Sequence, residues 1–431
     1  MTKRMLLAVL LLIVFALPAG CQKQGGEPTQ PTAPAPTILP TPTPEPSPTP
    51  TPDPVGEALA GMTVEQKAAQ LLVAGIEGTE PGEDAVQAVQ GYQVGGVILF
   101  GRNVESAEQL AALTNGLKEL NGDYTPLFLC VDQEGGRVDR MPPEVSRTPS
   151  AWRVGQAMAR GTAGAEYGVL LAEECAAFGF NMDFAPSLDI WSNPDNTVIG
   201  DRAFGGDWEW VTDFGFRAVE AMAERGDVIP VVKHFPGHGD TAVDSHTALP
   251  VVDKTLEDLW QSELVPFDMV LSGQFWGEPV MEPAPAVMVA HILLSQIDPD
   301  NPASLSPEVV TGLLREEMGY EGVVCTDDLT MGAISNTYGM GEAAVLAVEA
   351  GCDLLLVCHG ADNLAAAHAA LVEAVESGRI SMERLDESVY RVLSLKAVYG
   401  LSNAPVEAPD IEALNDRIAA LERSIEADTS Q

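Results

Sequence analysis

The sequence predicts an α/β protein built on a single (β/α)8 barrel. Eight apolar runs rich in β-branched residues recur along the chain, and segments with helical spacing separate them. Strands that alternate with helices pair in parallel, and eight such units close into a barrel. A chain of 431 residues that is 46% hydrophobic can bury so large a core. Because periodicity does not show closure, a doubly wound open sheet is the structural alternative.

The elements follow in chain order. Thr63-Val-Glu-Gln66 has the spacing of a capping box and predicts a helix start. The predicted strands cover residues 70–75, 94–100, 126–132, 181–186, 228–235, 286–292, 322–329 and 353–358. The predicted helices cover residues 107–120, 166–178, 207–225, 307–318, 341–350 and 382–399.

The first 20 residues are typical of a secretory signal peptide. Lys3 and Arg4 precede an apolar run over residues 5–17, which is too short to span a membrane comfortably. Cys21 follows Ala19-Gly20, as the lipidated cysteine does in a bacterial lipobox, although Pro18 departs from that motif. We therefore expect a lipid-anchored, extracytoplasmic protein, or a secreted one if Cys21 is not lipidated.

The remaining domain boundaries follow from composition. Residues 21–54 form a Pro/Thr-rich linker that favours extended polyproline conformations. Residues 55–402 carry the predicted barrel, and residues 403–431 form a short helical or frayed acidic tail. An insertion at residues 272–286 precedes the sixth strand, so we expect it on the amino-terminal face of the barrel.

Charge and cysteine content exclude several classes of protein. The formal charge of −40 argues against nucleic acid and against an anionic membrane surface as partners, since phosphate binding needs clustered Lys and Arg. Any membrane contact is expected through the lipid anchor alone. The six cysteines include no C-x-x-C pair, which predicts no disulfide framework.

Polar side chains lie where the predicted strands end. Asp132 ends the predicted strand at residues 126–132. Lys233 and His234 lie in the fifth predicted strand, and His291 and Asp327 lie in the sixth and seventh. Active sites of (β/α)8 barrels lie at the carboxyl ends of the strands. These residues therefore predict a rim of catalytic and binding groups.

The stretch from Lys233 to His246 holds three of the six histidines, and it allows two kinds of chemistry. In the first, Asp327 is a nucleophile and the pair Asp244 and His246 supplies a proton, as in a retaining glycosidase. In the second, a metal that activates water is bound by the side chains of His234, His238, Asp240 and His246. Spacing alone does not decide between the two.

The sequence resembles glycoside hydrolase family 3, and within it the β-N-acetylhexosaminidase branch. The motifs that carry the resemblance are Met62-Thr-Val-Glu-Gln-Lys67, Gly95-Gly-Val-Ile-Leu-Phe100, Val131-Asp-Gln-Glu-Gly-Gly-Arg-Val-Asp-Arg140, Phe184-Ala-Pro-Ser-Leu-Asp189, Gly200-Asp-Arg-Ala-Phe204, Lys233-His-Phe-Pro-Gly-His-Gly-Asp-Thr241 with Asp244-Ser-His246, Val287-Met-Val-Ala-His-Ile292, Pro302-Ala-Ser-Leu-Ser306 and Thr326-Asp-Asp-Leu-Thr-Met-Gly-Ala333.

The resemblance implies a (β/α)8 barrel that hydrolyses terminal β-linked N-acetylglucosamine in two steps, with no metal or cofactor. Asp327 matches the nucleophile, His246 the acid/base and Asp244 its partner. The substrate-binding residues implied are Asp132, Arg140, Arg202, Lys233 and His234. With the expected anchor and linker, the implied substrates are β-N-acetylglucosaminides and muropeptides released from peptidoglycan, acted on by a monomer.

Three alternatives stay open. A histidine acid/base is neutral after it gives up its proton and does not repel an incoming anion, so phosphate can replace water and the enzyme would be a phosphorylase. A metal-dependent barrel hydrolase is the second alternative. The third is a wall-binding lipoprotein that kept the barrel but lost catalytic turnover, against which the complete set of Asp244, His246 and Asp327 argues.

Overall fold

Eight parallel strands close into a barrel in the computed structural model, which describes residues 52–157 and 160–429. The barrel strands are β1 (Leu72–Gly75), β2 (Gly96–Ile98), β3 (Phe128–Val131), β4 (Met182–Asp183), β5 (Ile229–Phe235), β6 (Ala286–Val289), β7 (Val323–Asp328) and β8 (Leu354–Val357). Strand β1 pairs with β2 on one side and with β8 on the other, which rules out an open sheet. The predicted (β/α)8 barrel is confirmed.

The register of the barrel shifts at two places, and both lie at carboxyl ends that carry predicted site residues. Between β5 and β6 the shift falls between Val232 and Phe235, around Lys233 and His234. Between β7 and β8 it falls between Cys325 and Asp328, around the predicted nucleophile. Such irregularities re-aim side chains, and they often lie beside active sites.

Helices surround the barrel. The α-helices are α1 (Pro54–Ala60), α2 (Val64–Gln70), α3 (Glu83–Val86), α4 (Ala107–Asn121), α5 (Ala151–Val154), α6 (Arg160–Ala177), α7 (Trp208–Arg225), α8 (Leu256–Leu259), α9 (Leu264–Ser272), α10 (Gly332–Ser335), α11 (Met340–Ala350), α12 (Ala361–Glu376), α13 (Met382–Val398) and α14 (Ile411–Thr429). Gln87–Tyr92 and Glu308–Glu317 are π-helical, and short 3₁₀ turns cover Gly101–Asn103, Gly200–Arg202 and Ala303–Leu305. The capping box predicted at Thr63 is present at the start of α2.

The strands separate two layers of buried side chains. Inside the barrel, Val73, Ile98, Phe128 and Met182 pack with the inward-facing residues of the later strands. The alternate residues of each strand face the helices and form the larger outer core. Strands buried on both faces explain why the sequence shows continuous apolar runs instead of alternation.

The insertion at residues 272–286 forms a two-stranded antiparallel hairpin, in which Gln274–Phe275 pairs with Glu278–Pro279. The ring of Phe275 lies 5.0 Å from that of Phe216, and the ring of Trp276 lies 5.7 Å from that of Trp208. Both partner residues belong to α7. These ring contacts place the hairpin beside an outer helix, although Trp276 is largely exposed. Its expected position on the amino-terminal face stays a prediction.

Residues 411–429 of the predicted acidic tail form α14, which packs against α6. Leu414, Ile418, Leu421 and Ile425 are buried, with the spacing of one helix face. This apolar stripe is what attaches the segment to the barrel.

The predicted signal peptide, Cys21 and the linker as far as residue 51 lie outside the described residues. In the part that the structure describes, no helix is long and apolar enough to cross a membrane. Five cysteines lie in the described barrel and are buried free thiols: Cys130, Cys175, Cys325, Cys352 and Cys358.

Candidate active site

A cavity of about 200 Å³ opens at the carboxyl ends of the strands. Its lining includes six of the predicted site residues: Asp132, Arg140, Arg202, His234, His246 and Asp327. The other two lie directly behind these side chains, where Lys233 contacts Asp132 and Asp244 contacts His246. The fold therefore brings together all eight residues that the sequence predicts for catalysis and substrate binding.

Lys233 is the cation at the base of the cavity, and its side chain is only 1% exposed. Its Nζ atom lies 2.6 Å from Oδ1 of Asp132 and 2.5 Å from Oε1 of Glu134. Burial lowers the pKa of Lys233, but the two carboxylates outweigh burial and hold it above its usual value. Lys233 is thus a permanent positive charge beside the carboxylate of Asp132.

Glu134 also binds Arg202 through both carboxylate oxygens. The Nε and Nη2 atoms of Arg202 each donate to Glu134 across 2.8 Å, which is the bidentate geometry that fixes a guanidinium plane. Burial opposes ionisation of Glu134, but Arg202 and Lys233 hold its pKa well below its usual range. Two cations and two carboxylates therefore form one compact charged network.

His234 is oriented from both sides of its ring. Its Nδ1 atom lies 2.5 Å from Oδ2 of Asp189, and its Nε2 atom lies 3.1 Å from Nη2 of Arg202. Asp189 also accepts a hydrogen bond from the backbone N–H of His238 across 2.6 Å. One buried carboxylate thereby positions a predicted binding residue and the start of the loop that follows β5.

Arg140 lines the cavity with unused donor capacity. Its backbone N–H donates to Oε1 of Gln133 across 2.8 Å, and its Nη1 atom makes only a long 3.4 Å contact to the Asp139 carbonyl. The Nε atom is one of the few buried polar atoms that have no hydrogen-bond partner within the described chain. The guanidinium of Arg140 therefore keeps donor capacity that the contacts of the described chain do not use.

Asp327 projects from the end of β7 and is held ionised. Burial raises the pKa of this carboxyl, but the nearby His291 and His234, the backbone N–H of Asp328 and the Lys233 ammonium together hold it below its usual value. The N–H of Asp328 donates to Oδ1 of Asp327 across 2.8 Å. An ionised carboxylate fixed at a strand end is suited to act as a nucleophile.

The side chain of the neighbouring Asp328 accepts hydrogen bonds from the residues around it. Its Oδ1 atom accepts from the backbone N–H groups of Thr330 and Cys358, and its Oδ2 atom accepts from the Thr330 hydroxyl. His291 donates from Nε2 to the Asp328 carbonyl across 2.9 Å. Asp328 therefore braces the turn after β7, and His291, which lies two residues after β6, braces the same turn.

Asp244 and His246 lie on the loop that follows β5. Oδ1 of Asp244 accepts from the backbone N–H of His246 across 2.9 Å and contacts Nδ1 of its ring at 2.7 Å. Although partial burial opposes it, these two bonds hold the pKa of Asp244 below its usual value. The His246 side chain is 66% exposed, and its ring contacts Asp244 through Nδ1.

The side chains that could bind a metal, according to the second interpretation of the sequence, each contact a different partner. His238 lies between Thr241 and Ser245, Asp240 pairs with Lys254, and His246 pairs with Asp244. Within the described ranges, no group of three or more His, Cys, Asp or Glu side chains is placed to hold a metal ion. The geometry favours the pair of carboxylate and imidazole over a metal centre.

Two site residues received no role from the sequence. Glu134 and Asp189 lie within the quoted motifs of residues 131–140 and 184–189, yet their position in the sequence resembles that of loop carboxylates. Both are almost completely buried. Their role appears only in the fold, where a buried charge requires a partner.

Comparison with known proteins identifies the family of the chain. Residues 63–395 match the family described as the glycosyl hydrolase family 3 N terminal domain. β-Hexosaminidase A of Pseudoalteromonas piscicida is 34% identical over 346 residues, which cover 74% of this chain and 56% of that enzyme. The chain therefore matches little more than half of that longer relative. A β-hexosaminidase of Alkalilimnicola ehrlichii is 38% identical over 67% of this chain and 80% of its own length.

Solved structures show the same fold. A family 3 β-N-acetylglucosaminidase from Paenibacillus sp. FPU-7 aligns with a TM-score of 0.78 and 42% identity, over 84% of this chain and 69% of that one. The M. tuberculosis protein LpqI aligns with a TM-score of 0.70 and 32% identity, over 80% and 96% of the two chains. The chain belongs to glycoside hydrolase family 3.

Proposed function

We propose that this protein is a retaining exo-β-N-acetylglucosaminidase that hydrolyses terminal β-linked N-acetylglucosamine. The observation that carries the proposal is the division of labour in the cavity, where Asp327 is an ionised carboxylate and the pair Asp244 and His246 lies on a separate loop. A nucleophile and a proton donor are what a two-step retaining mechanism requires. The names of the β-hexosaminidase and β-N-acetylglucosaminidase relatives support this substrate class.

In the first step, a carboxylate oxygen of Asp327 attacks the anomeric carbon, and the bond to the leaving oxygen breaks. His246 donates a proton from Nε2 to that oxygen, while Asp244 stabilises the ring at Nδ1. The products are an aglycone with a free hydroxyl and a glycosyl ester of Asp327. In the second step, neutral His246 takes a proton from water, whose oxygen displaces Asp327 and releases the sugar.

The charged network is suited to hold the sugar during both steps. Asp132 accepts from sugar hydroxyls, while Arg140 and Arg202 present donors to hydroxyl or carbonyl oxygens. Lys233 neutralises Asp132, and His234 is fixed by Asp189. Four of the five predicted binding residues, Asp132, Arg202, Lys233 and His234, thus have a neighbour that fixes their orientation.

The proposal is tested by trapping the glycosyl-enzyme. A slow fluorinated N-acetylglucosaminide is mixed with the enzyme, which is then digested, and the labelled peptide is mapped by mass spectrometry. We expect a single label on Asp327, and no label in Asp327→Asn. A label on another residue, or full activity of Asp327→Asn, would overturn the assignment.

Phosphorolysis is the second candidate, and the imidazole of His246 favours it. After the first step this group is neutral, so it does not repel a phosphate anion at the glycosyl-enzyme. The two activities are separated by the product, because phosphate attack yields a sugar 1-phosphate and water attack yields the free sugar. Product analysis with and without phosphate therefore decides between them.

We also propose that the enzyme is extracytoplasmic, anchored to the membrane through a lipid on Cys21, and acts on peptidoglycan fragments. The signal-like residues 1–20 and the Pro/Thr-rich residues 21–54 support this proposal. Fractionation of cells that produce the wild type or Cys21→Ala tests the anchor. Wild-type enzyme is expected in the membrane fraction and the variant outside it, whereas identical distributions would refute the anchor.

A further inference from the structure

The turn that follows the nucleophile also contacts the loop that carries the acid/base. Gly332 lies five positions after Asp327, at the start of α10. Its backbone N–H donates to the His246 carbonyl across 3.2 Å, and the N–H of Ala333 donates to the Ser245 carbonyl across 3.1 Å. The Nδ2 atom of Asn336 donates to the Thr247 carbonyl across 3.1 Å. Three successive loop carbonyls are thus bound by one short segment.

This contact requires glycine at position 332. A β-carbon added there would lie 2.7 Å from the His246 carbonyl oxygen and 2.9 Å from that of Thr247. Such distances are shorter than van der Waals contact, and both neighbours are backbone atoms, so the loop would have to move. Glycine is a poor helix former compared with alanine, so helix propensity does not account for its presence in α10.

The same loop is held on its other side by His238. The ring of His238 contacts the Ser245 hydroxyl at 3.1 Å through Nε2 and the Thr241 hydroxyl at 2.8 Å through Nδ1. His238 and Ser245 are buried, whereas the side chains of Asp244 and His246 are 45% and 66% exposed. The pair Asp244 and His246 therefore lies on an exposed part of the loop. Its distance from Asp327 depends on the contact between the loop backbone and Gly332.

We propose that Gly332 is a positioning residue that seats the acid/base loop on the turn after the nucleophile, so that both catalytic groups share one backbone support. This inference rests on the proposed role of His246. Its consequence is that a side chain at position 332 impairs proton donation without altering the nucleophile or the sugar-binding network. A displacement of about 1 Å can cost on the order of 100-fold in rate.

The test compares Gly332→Ala with Gly339→Ala, because a β-carbon at position 339 meets no atom within 4 Å. Values of kcat/KM, which report the first step, are measured on a phenyl N-acetylglucosaminide and on its 2,4-dinitrophenyl analogue. The phenyl leaving group requires protonation, whereas dinitrophenolate leaves without it. We expect Gly332→Ala to lose about 10-fold to 100-fold on the phenyl substrate and little on the dinitrophenyl substrate. Gly339→Ala is expected to match the wild type on both.

His246→Ala is the reference that separates failure of this inference from failure of the proposed function. If His246→Ala shows no preference for the better leaving group, its role as the acid/base is wrong. If His246→Ala shows that preference but Gly332→Ala loses equally on both substrates, or on neither, the positioning role is wrong.

Asn336→Ala is a milder variant that stays informative if Gly332→Ala does not fold. It removes one of the three bonds to the loop and introduces no clash. We expect a smaller loss with the same dependence on the leaving group, and a loss that is equal on both substrates would overturn the proposal.

Discussion

The Nδ1 atom of His234 lies 2.5 Å from Oδ2 of Asp189, and both side chains are buried. Because carboxylate oxygens only accept hydrogen bonds, this contact places a proton on Nδ1. Oδ1 of the same carboxylate accepts from the backbone N–H of His238. Asp189 therefore determines both the orientation of the His234 ring and the path of the loop that leaves β5.

Asp189→Asn is expected to disturb this arrangement with little change in volume. The amide oxygen can still accept from His238, but the amide NH₂ then faces the Nδ1–H of His234, so two donors oppose each other. We expect kcat/KM to fall by about 10-fold to 100-fold, the equivalent of roughly 1 to 3 kcal/mol for a buried hydrogen bond left unmade. The exposed Asp195→Asn is the control, and unchanged kinetics in Asp189→Asn would contradict the assigned role.

Glu134→Gln tests the charged network. Glu134 binds Arg202 and Lys233, and removal of its charge leaves Lys233 paired with Asp132 alone and takes from Arg202 the carboxylate that it contacts. Loss of one partner from a buried ion pair costs about 3 to 5 kcal/mol, so we expect a fall of that order in the free energy of unfolding, measured by urea denaturation near pH 7. The exposed Glu105→Gln should change it by less than about 0.5 kcal/mol. A similar small change in Glu134→Gln would show that the network is not stabilising.

Glu174→Gln tests a carboxyl that burial keeps protonated. Burial raises the pKa of Glu174 to about 8, although Thr148 and Gln133 donate to it across 2.6 Å and 2.8 Å. Glutamine can accept from Gln133 and donate to the Thr148 hydroxyl, which reproduces the protonated acid.

The sign of the pH effect follows from linkage. Between the usual pKa range of a glutamate and pH 8, Glu174 loses its proton in the unfolded chain but keeps it in the folded chain. The wild type therefore loses stability as the pH rises through that window. We therefore expect Glu174→Gln to match the wild type near pH 4 and to become more stable than it by pH 8. Thermal unfolding at both pH values measures the difference, and a constant difference would contradict the raised pKa.

Much of the barrel and its rim could be predicted from the sequence. Strands buried on both faces leave continuous apolar runs, and the residues that end them, such as Asp132 and Asp327, follow from the geometry of parallel barrels. The hairpin at residues 272–286 was less predictable. Its position depends on the rings of Phe275 and Trp276 packing on α7, which is a tertiary contact without a local signal.

The supporting residues of the site were also beyond sequence reasoning. Glu134 and Asp189 resemble loop carboxylates until the fold surrounds them with cations and imidazole. Gly332 resembles an ordinary turn glycine until the loop after β5 lies against it. Local patterns identify the groups that react, whereas the residues that orient them depend on contacts between distant segments.

Lys396 is buried at the opposite end of the barrel. Its side-chain nitrogen has no carboxylate partner among the contacts of the described chain. Its Nζ atom donates to Oε1 of Gln70 across 2.9 Å and to the Gly95 carbonyl across 2.8 Å, and it lies 4.7 Å from the centre of the Phe128 ring. Burial lowers the pKa of Lys396 to about 7, and the nearby Cys130 opposes this shift only in part.

Between pH 7 and the usual lysine range, the unfolded chain holds a proton that the folded chain has released, so folding becomes more favourable as the pH rises. Lys396→Met lacks this proton. We therefore expect the wild type to gain stability relative to Lys396→Met from pH 7 to pH 9.5, by at most about 1.4 kcal/mol per pH unit. Urea denaturation of both proteins at several pH values measures the slope. A slope of zero would mean that Lys396 keeps its proton in the folded barrel. Stability depends on pH through Lys396 only if folding releases that proton.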